Sequence, residues 1–104
     1  MKTRAFRMNL NPGQAEEYRK RHDQIWPELV QALKQAEIVE YRIFLDPHSH
    51  ALFAVMQHHD QHLLDQLPGL PVMQRWWQHM KDIMPSHPDG SPVSLDLIPM
   101  FELP

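Results

Sequence analysis

Cysteine is absent from the 104-residue chain. That excludes a disulfide framework, a thiolate nucleophile and any cysteine-ligated zinc or iron–sulfur site. No apolar run approaches the roughly 18 residues that a membrane span needs, and the opening "MKTRAFRMNL" lacks the apolar segment of a secretory signal. No block of like charge occurs either, with 10 Lys and Arg against 13 Asp and Glu and a net charge of −3. A nucleic-acid or anionic-membrane partner would want a basic stripe. No repeat, low-complexity tract or long linker divides the sequence, and its length suits one domain over residues 1–104. These exclusions point to a cytoplasmic domain. At this size it buries only about two thirds of the surface its unfolded chain exposes, so a second subunit would help it.

What is present is clear periodicity, punctuated by proline. "TRAFRMNL" (Thr3 to Leu10) alternates, with Phe6, Met8 and Leu10 on one face, and reads as a strand. "NPG" (Asn11 to Gly13) is turn chemistry, and a helical pattern follows to about Ala36. Pro27 falls inside that pattern. It has no N–H to give and clashes with the carbonyl four residues back, so the helix should kink or restart near Trp26. "VEYRIFLD" (Val39 to Asp46) places Val39, Tyr41, Ile43 and Leu45 on one face; "PHSH" turns the chain and "ALFAVMQ" (Ala51 to Gln57) returns it as a hairpin. A short helix is expected over Asp60–Leu67, broken by "PGLP". Pro71 then starts a helix with Met73, Trp76, Trp77, Met80 and Met84 on one stripe. "PSHPDGSP" (Pro85 to Pro92) is a loop, and "LDLIPMFELP" (Leu95 to Pro104) reads as a last strand whose Pro99 marks an edge or a bulge.

The order β-α-β-β-α-β is the ferredoxin-like arrangement of an α+β fold: a four-stranded antiparallel sheet with helices on one face. The middle strands, however, are apolar on both sides. Phe44 lies opposite Tyr41 and Ile43, and Phe53 and Val55 lie opposite Leu52 and Met56. Helices cover one face only, so the other calls for a second copy of the sheet, and a homodimer is expected.

The helix stripe of Tyr18, Ile25, Leu29, Ala32 and Leu33 has His22 at its centre. Residues four apart are neighbours on a helix, so Tyr18 and His22 present their polar tips together to the sheet. If the Val39/Tyr41/Ile43 face meets the helices, Tyr41 points into the same space, as does the Trp76–Trp77 stripe. A histidine or tryptophan on an apolar face is more often plain core. Packing alone, though, would favour leucine, and each of these groups needs a hydrogen-bond partner once buried. An apolar, aromatic pocket with a few polar groups suits a small molecule. The other polar signal is the set of eight histidines. His48 and His50 fall in the hairpin turn, and His58, His59 and His62 at a strand-to-helix junction. No carboxylate in a clear ligand register completes a set, these positions read as solvated, and no metal is expected. His79 and His87 read as exposed and without a role.

The chain closely resembles the L-rhamnose mutarotase family over nearly its full length. The likeness rests on the tyrosine–histidine pair of "EYRKRHDQIWPEL", the tyrosine of "EYRIFLD", "QRWWQHM" followed by "MP", and "PDGSPV". The pattern H-x-x-I-W-P-E-L together with a Trp-Trp pair at the right distance is specific; neither half alone would be. The resemblance implies a dimeric α+β barrel in which two ferredoxin-like sheets pack face to face. It also implies that His22 is the general acid and that Tyr18, Tyr41, Trp76 and Trp77 contact the sugar. His87 and Gly90 stand where the family pattern has asparagines, which puts that loop's contacts in question. The implied reaction opens a hemiacetal: a proton reaches the ring oxygen, another leaves the anomeric hydroxyl, and the aldehyde rotates and recloses. No electrons move, so no cofactor is expected. The base is left open between a tyrosine, a water and His22 itself. Two other readings remain: a cofactor-free monooxygenase or lactone isomerase on the same barrel, and a small-sugar binding module without turnover.

Overall fold

The computed structural model describes residues 1–104. Strand β1 (Lys2–Asn9) is followed by helices α1 (Ala15–Asp23) and α2 (Pro27–Gln35). Then come β2 (Ile38–Leu45), β3 (Ala51–His58), a 3-10 turn (Leu64–Gly69), α3 (Pro71–Met80) and β4 (Leu95–Asp96). The sheet runs in the order β2-β3-β1-β4, every neighbouring pair antiparallel, which is the ferredoxin-like topology.

Strand parity decides which side is core. Phe6 sits opposite Ala54 and Met8 opposite Leu52, so the even residues of β1 and β3 share a face. Met8, Leu52 and Ala54 pack there with Tyr18 and Leu29 from the first two helices and with Trp76, Met80, Ile83 and Met84 from α3 and its exit. Leu29 and Leu52 are the largest fully buried side chains, each contributing about 1.5–3 kcal/mol by leaving water. The far face carries half-buried Phe53 and Val55 and exposed Phe44 and Leu95.

The long helical pattern restarts at its proline. Trp26 adopts φ −65° and ψ 132°, the extended conformation favoured before proline, and Pro27 opens α2. Ile25 consequently lies in the joint between helices and not on a helical stripe. Pro71 opens α3 in the same manner, after an extended Leu70.

Three expectations are corrected. Val39 does not share the face of Tyr41, Ile43 and Leu45. The register shifts between Ile38 and Glu40, and this bulge turns Val39 outward, 50% exposed, while Ile38 takes the buried place. The helix expected over Asp60–Leu67 is a 3-10 turn over Leu64–Gly69, with i to i−3 bonds such as Gln66 N–H to the Leu63 carbonyl. Pro68 lies inside it and offers no N–H to an α-helical ladder. The last strand pairs over Leu95–Asp96 alone; beyond it Ile98, Met100, Phe101 and Leu103 lie outside any strand and exposed.

Candidate active site

Helix α1 begins after the turn at Gly13, whose φ of +81° a side chain would resist, and carries Tyr18 and His22 four residues apart on its sheet-facing side. Their rings stack, centroids 4.3 Å apart and planes 29° from parallel. His22 Nδ1 lies 3.0 Å from the Tyr18 carbonyl oxygen. A carbonyl only accepts, so Nδ1 carries the proton, and Nε2 is left as the lone-pair nitrogen without a protein partner. The His22 ring also meets Trp76 of α3 edge-on, at 5.4 Å and 89°.

Tyr18, His22, Tyr41, Trp76 and Trp77 all line one cleft of about 1980 Å³ between the helices and the sheet. His22 touches both Tyr18 and Trp76. Tyr41 reaches the cleft from β2 and meets Phe6 edge to face at 6.4 Å, while Trp77 is half-buried; neither stacks on the His22 ring. The five residues singled out from sequence thus share one space, with His22 in contact with Tyr18 and Trp76.

Burial governs the electrostatics. It pushes both phenols well above the ordinary tyrosine value, and for Tyr18 the nearby Tyr41 adds to the effect. At neutral pH both are O–H donors, so neither supplies a phenolate base. Burial also lowers the His22 pKa from 6.5, opposed in part by the hydrogen bond to Tyr18 and by the charge of Asp23. The resting imidazole is therefore neutral, protonated at Nδ1 and open at Nε2. Such a group can take a proton from a hydroxyl and return it to another oxygen.

Two residues of the cleft were missed from sequence. Trp26 packs edge-on against Trp76 at 5.2 Å, and His79, read as exposed and without a role, lies 5.6 Å from Trp26 and 5.5 Å from Trp76. His79 is exposed, yet it closes a patch with both tryptophans. The signal for Trp26 was its place before Pro27, which forces the extended backbone that turns the indole toward α3; nothing comparable marked His79.

The histidines read as solvated divide. His59 is exposed, 3.8 Å from Glu37. His58 is not solvated: it is 5% exposed, beside the cluster of Ala36, Ile38, Met56, Leu64 and Leu67. Its even position in β3 turns it to the helix side, and its Nδ1 donates to the His59 carbonyl at 2.7 Å. His62 lies against it at 4.6 Å and accepts the Leu64 N–H on Nδ1 at 3.2 Å. No group of three or more His, Asp or Glu side chains is placed to hold a metal ion. No helix is long and apolar enough to cross a membrane.

The loop after α3 explains its glycine. Gly90 has φ +90°, and a Cβ there would run into the Gln78 amide. Asp89 accepts the Ser91 N–H at 2.9 Å and holds the turn, and His87 is exposed on the rim of the cleft.

Comparison with known proteins places the chain by family and fold. A family-level profile described as L-rhamnose mutarotase matches residues 3–103. An L-rhamnose mutarotase of Paraburkholderia phytofirmans is 54% identical over 103 residues, covering 99% of this chain and 96% of its own. One from Jannaschia sp. is 52% identical over the whole of both chains. The crystal structure of an L-rhamnose mutarotase from Formosa agariphila superposes with a TM-score of 0.92 at 40% identity, covering 100% of each chain. None of these supports the monooxygenase, lactone isomerase or binding-module readings.

Proposed function

The chain belongs to the L-rhamnose mutarotase family, and from that membership we propose that it interconverts the α and β anomers of L-rhamnopyranose with His22 as the proton carrier. It is an isomerase. The observation that carries the mechanism is the His22 ring held between Tyr18 and Trp76 in the cleft, its Nδ1 tied to a backbone carbonyl and its Nε2 free.

The anomeric hydroxyl and the ring oxygen are bonded to the same carbon, so one nitrogen can serve both. Neutral Nε2 takes the proton of the anomeric hydroxyl. The resulting imidazolium delivers it to the ring oxygen as the C1–O5 bond breaks, which is the donor role expected for His22. The free aldehyde turns about C1–C2. The O5 hydroxyl then adds to the other face of the carbonyl, and His22 carries its proton back to the new anomeric oxygen. Charge and atoms return to their starting state. Tyr18 and Tyr41, kept protonated by burial, donate hydrogen bonds that orient the sugar hydroxyls. Trp76 and Trp77 offer an apolar wall to the C–H face and to the methyl group of the sugar.

The proposal extends to residues 1–104 working as one domain, in the cytoplasm, as a homodimer of the α+β barrel type. Two features support the dimer. The far face of the sheet presents Phe44, Phe53, Val55 and Leu95 with no helix over them. The C-terminal arm also outruns its own sheet. Phe6 pairs with Asp96, and the last ladder bond joins Leu97 N–H to the Ala5 carbonyl. In that register Phe101 would stand beside Met1, and residues 102–104 would have no neighbour on β1. Pro99 cannot donate to the ladder at all. Met100 and Phe101, 89% and 80% exposed, gain cover from a second subunit. Sedimentation velocity should give a dimer for the full chain, and a monomer for a chain ending at Leu97; a monomeric full chain would refute the assembly.

The activity is tested by magnetisation exchange between the α and β anomeric protons of L-rhamnose. Added protein should speed exchange, and His22→Ala, still folded by circular dichroism, should not. Exchange undiminished in that variant would sink the mechanism.

A further inference from the structure

Helix α1 carries the proton carrier, yet of its nine residues only Tyr18 is buried. A helix this polar is not held by an apolar face of its own. The residue before His22 supplies another hold. Arg21 reaches across to the end of α3, where Nη1 donates to the His79 carbonyl at 2.6 Å and to Asp82 Oδ1 at 2.7 Å, and Nη2 donates to Asp82 Oδ2 at 3.1 Å. Its Nε lies 3.6 Å from Glu17 Oε2, one turn back on α1. The Arg21 side chain is only 15% exposed, whereas Asp82 is 64% exposed.

The His79 carbonyl belongs to the last turn of α3, where carbonyls lack partners within the helix. Arg21 therefore caps α3 while gripping the chain just beyond it. One turn earlier on α3 stands Trp76, the residue that meets the His22 ring. The two helices are thus joined twice: by a ring contact inside the cleft and by a guanidinium fork outside it. We propose that Arg21 is a positioning residue for the reaction: its fork on Asp82 and the His79 carbonyl sets where His22 stands relative to the Trp76–Trp77 wall that holds the sugar. The inference rests on His22 being the proton carrier. A lysine keeps the charge but not the planar fork, and cannot meet both carboxylate oxygens and the carbonyl in one fixed geometry. The hydrogen bond from Arg21 also holds the Asp82 carboxyl below the usual carboxylate range, so the pair persists at neutral pH.

The test compares wild type, His22→Ala, Arg21→Lys and Asp82→Asn in the anomer-exchange assay, well below each melting temperature. Nitrogen-15 NMR reads the His22 imidazole in parallel. Misplacing the carrier relative to a bound sugar lowers kcat and spares KM. Arg21→Lys should lose about 10- to 100-fold in kcat with KM changed by less than about threefold, and the His22 ring should titrate closer to ordinary histidine as α1 loosens. Asp82→Asn, which leaves the His79 carbonyl contact in place, should lose less. Should Arg21→Lys not fold, Asp82→Asn carries the same kcat test. Wild-type kcat in a folded Arg21→Lys, beside an inactive His22→Ala, overturns the positioning role alone. So does a loss confined to melting temperature. Activity retained by His22→Ala overturns the carrier reading on which the inference rests.

Discussion

Two histidines in this molecule are tied to the backbone in the same way and stand in different surroundings. His22 donates through Nδ1 to the Tyr18 carbonyl, and His58 donates through Nδ1 to the His59 carbonyl. Each has an aromatic neighbour, Tyr18 for His22 and His62 for His58. The difference lies beyond the second nitrogen. Around His58 the structure closes: the residue is buried, opposite Ile38 on β2 and against His62. Around His22 it opens into a cleft lined by phenols and indoles. Anchoring fixes a tautomer in both places; only an open side lets that tautomer meet a substrate.

Substitution should separate the two most sharply. His22→Ala removes the proposed proton carrier and should abolish a rate advantage of about 10²–10⁴, leaving the melting temperature close to wild type. His58→Ala should do the reverse. It opens a hole beside a packed cluster and strands the His59 carbonyl, costing about 1–3 kcal/mol in chemical denaturation while the folded protein keeps its exchange rate. If His58→Ala abolished exchange without loss of stability, the distinction between the two sites would collapse.

The smallest effect is also the most telling about mechanism. Burial lowers the His22 pKa, and the mechanism needs the neutral ring at rest. Exchange should therefore be level at neutral pH and fall as the pH drops through a value below 6.5, by about tenfold per unit, or 1.4 kcal/mol. A resting imidazolium would give the opposite slope, with the rate falling as pH rises. A pH–rate profile in the wild type decides between them.

Much of the cleft could be read in advance because it depends on short-range periodicity. A tyrosine and a histidine four apart on a helix must be neighbours, and a proline inside an α-helical pattern must kink or restart it. Trp76 and Met80 follow the same spacing and are buried together. The failures are of another kind. The bulge that turns Val39 outward depends on how β2 registers against β3, and no residue of "IVEY" announces it. His58 reads as the solvated end of a strand, yet it is buried, opposite Ile38 on β2 and against His62 from the following loop. His79 joined the cleft only because the restart at Pro27 brought Trp26 against α3.

The sequence by itself determined the order of elements, which residues share a face on β1, β3 and α3, and the chemical character of the cleft. These follow from backbone sterics and from side-chain periods of 2.0 and 3.6 residues, which act within a few residues of chain. Tertiary structure alone decided which groups on different elements touch: Trp76 against His22, Arg21 across to Asp82, and a second tryptophan beside a histidine set aside as idle. Such contacts depend on how two helices settle on one sheet, a balance of packing across the whole core that no local pattern encodes.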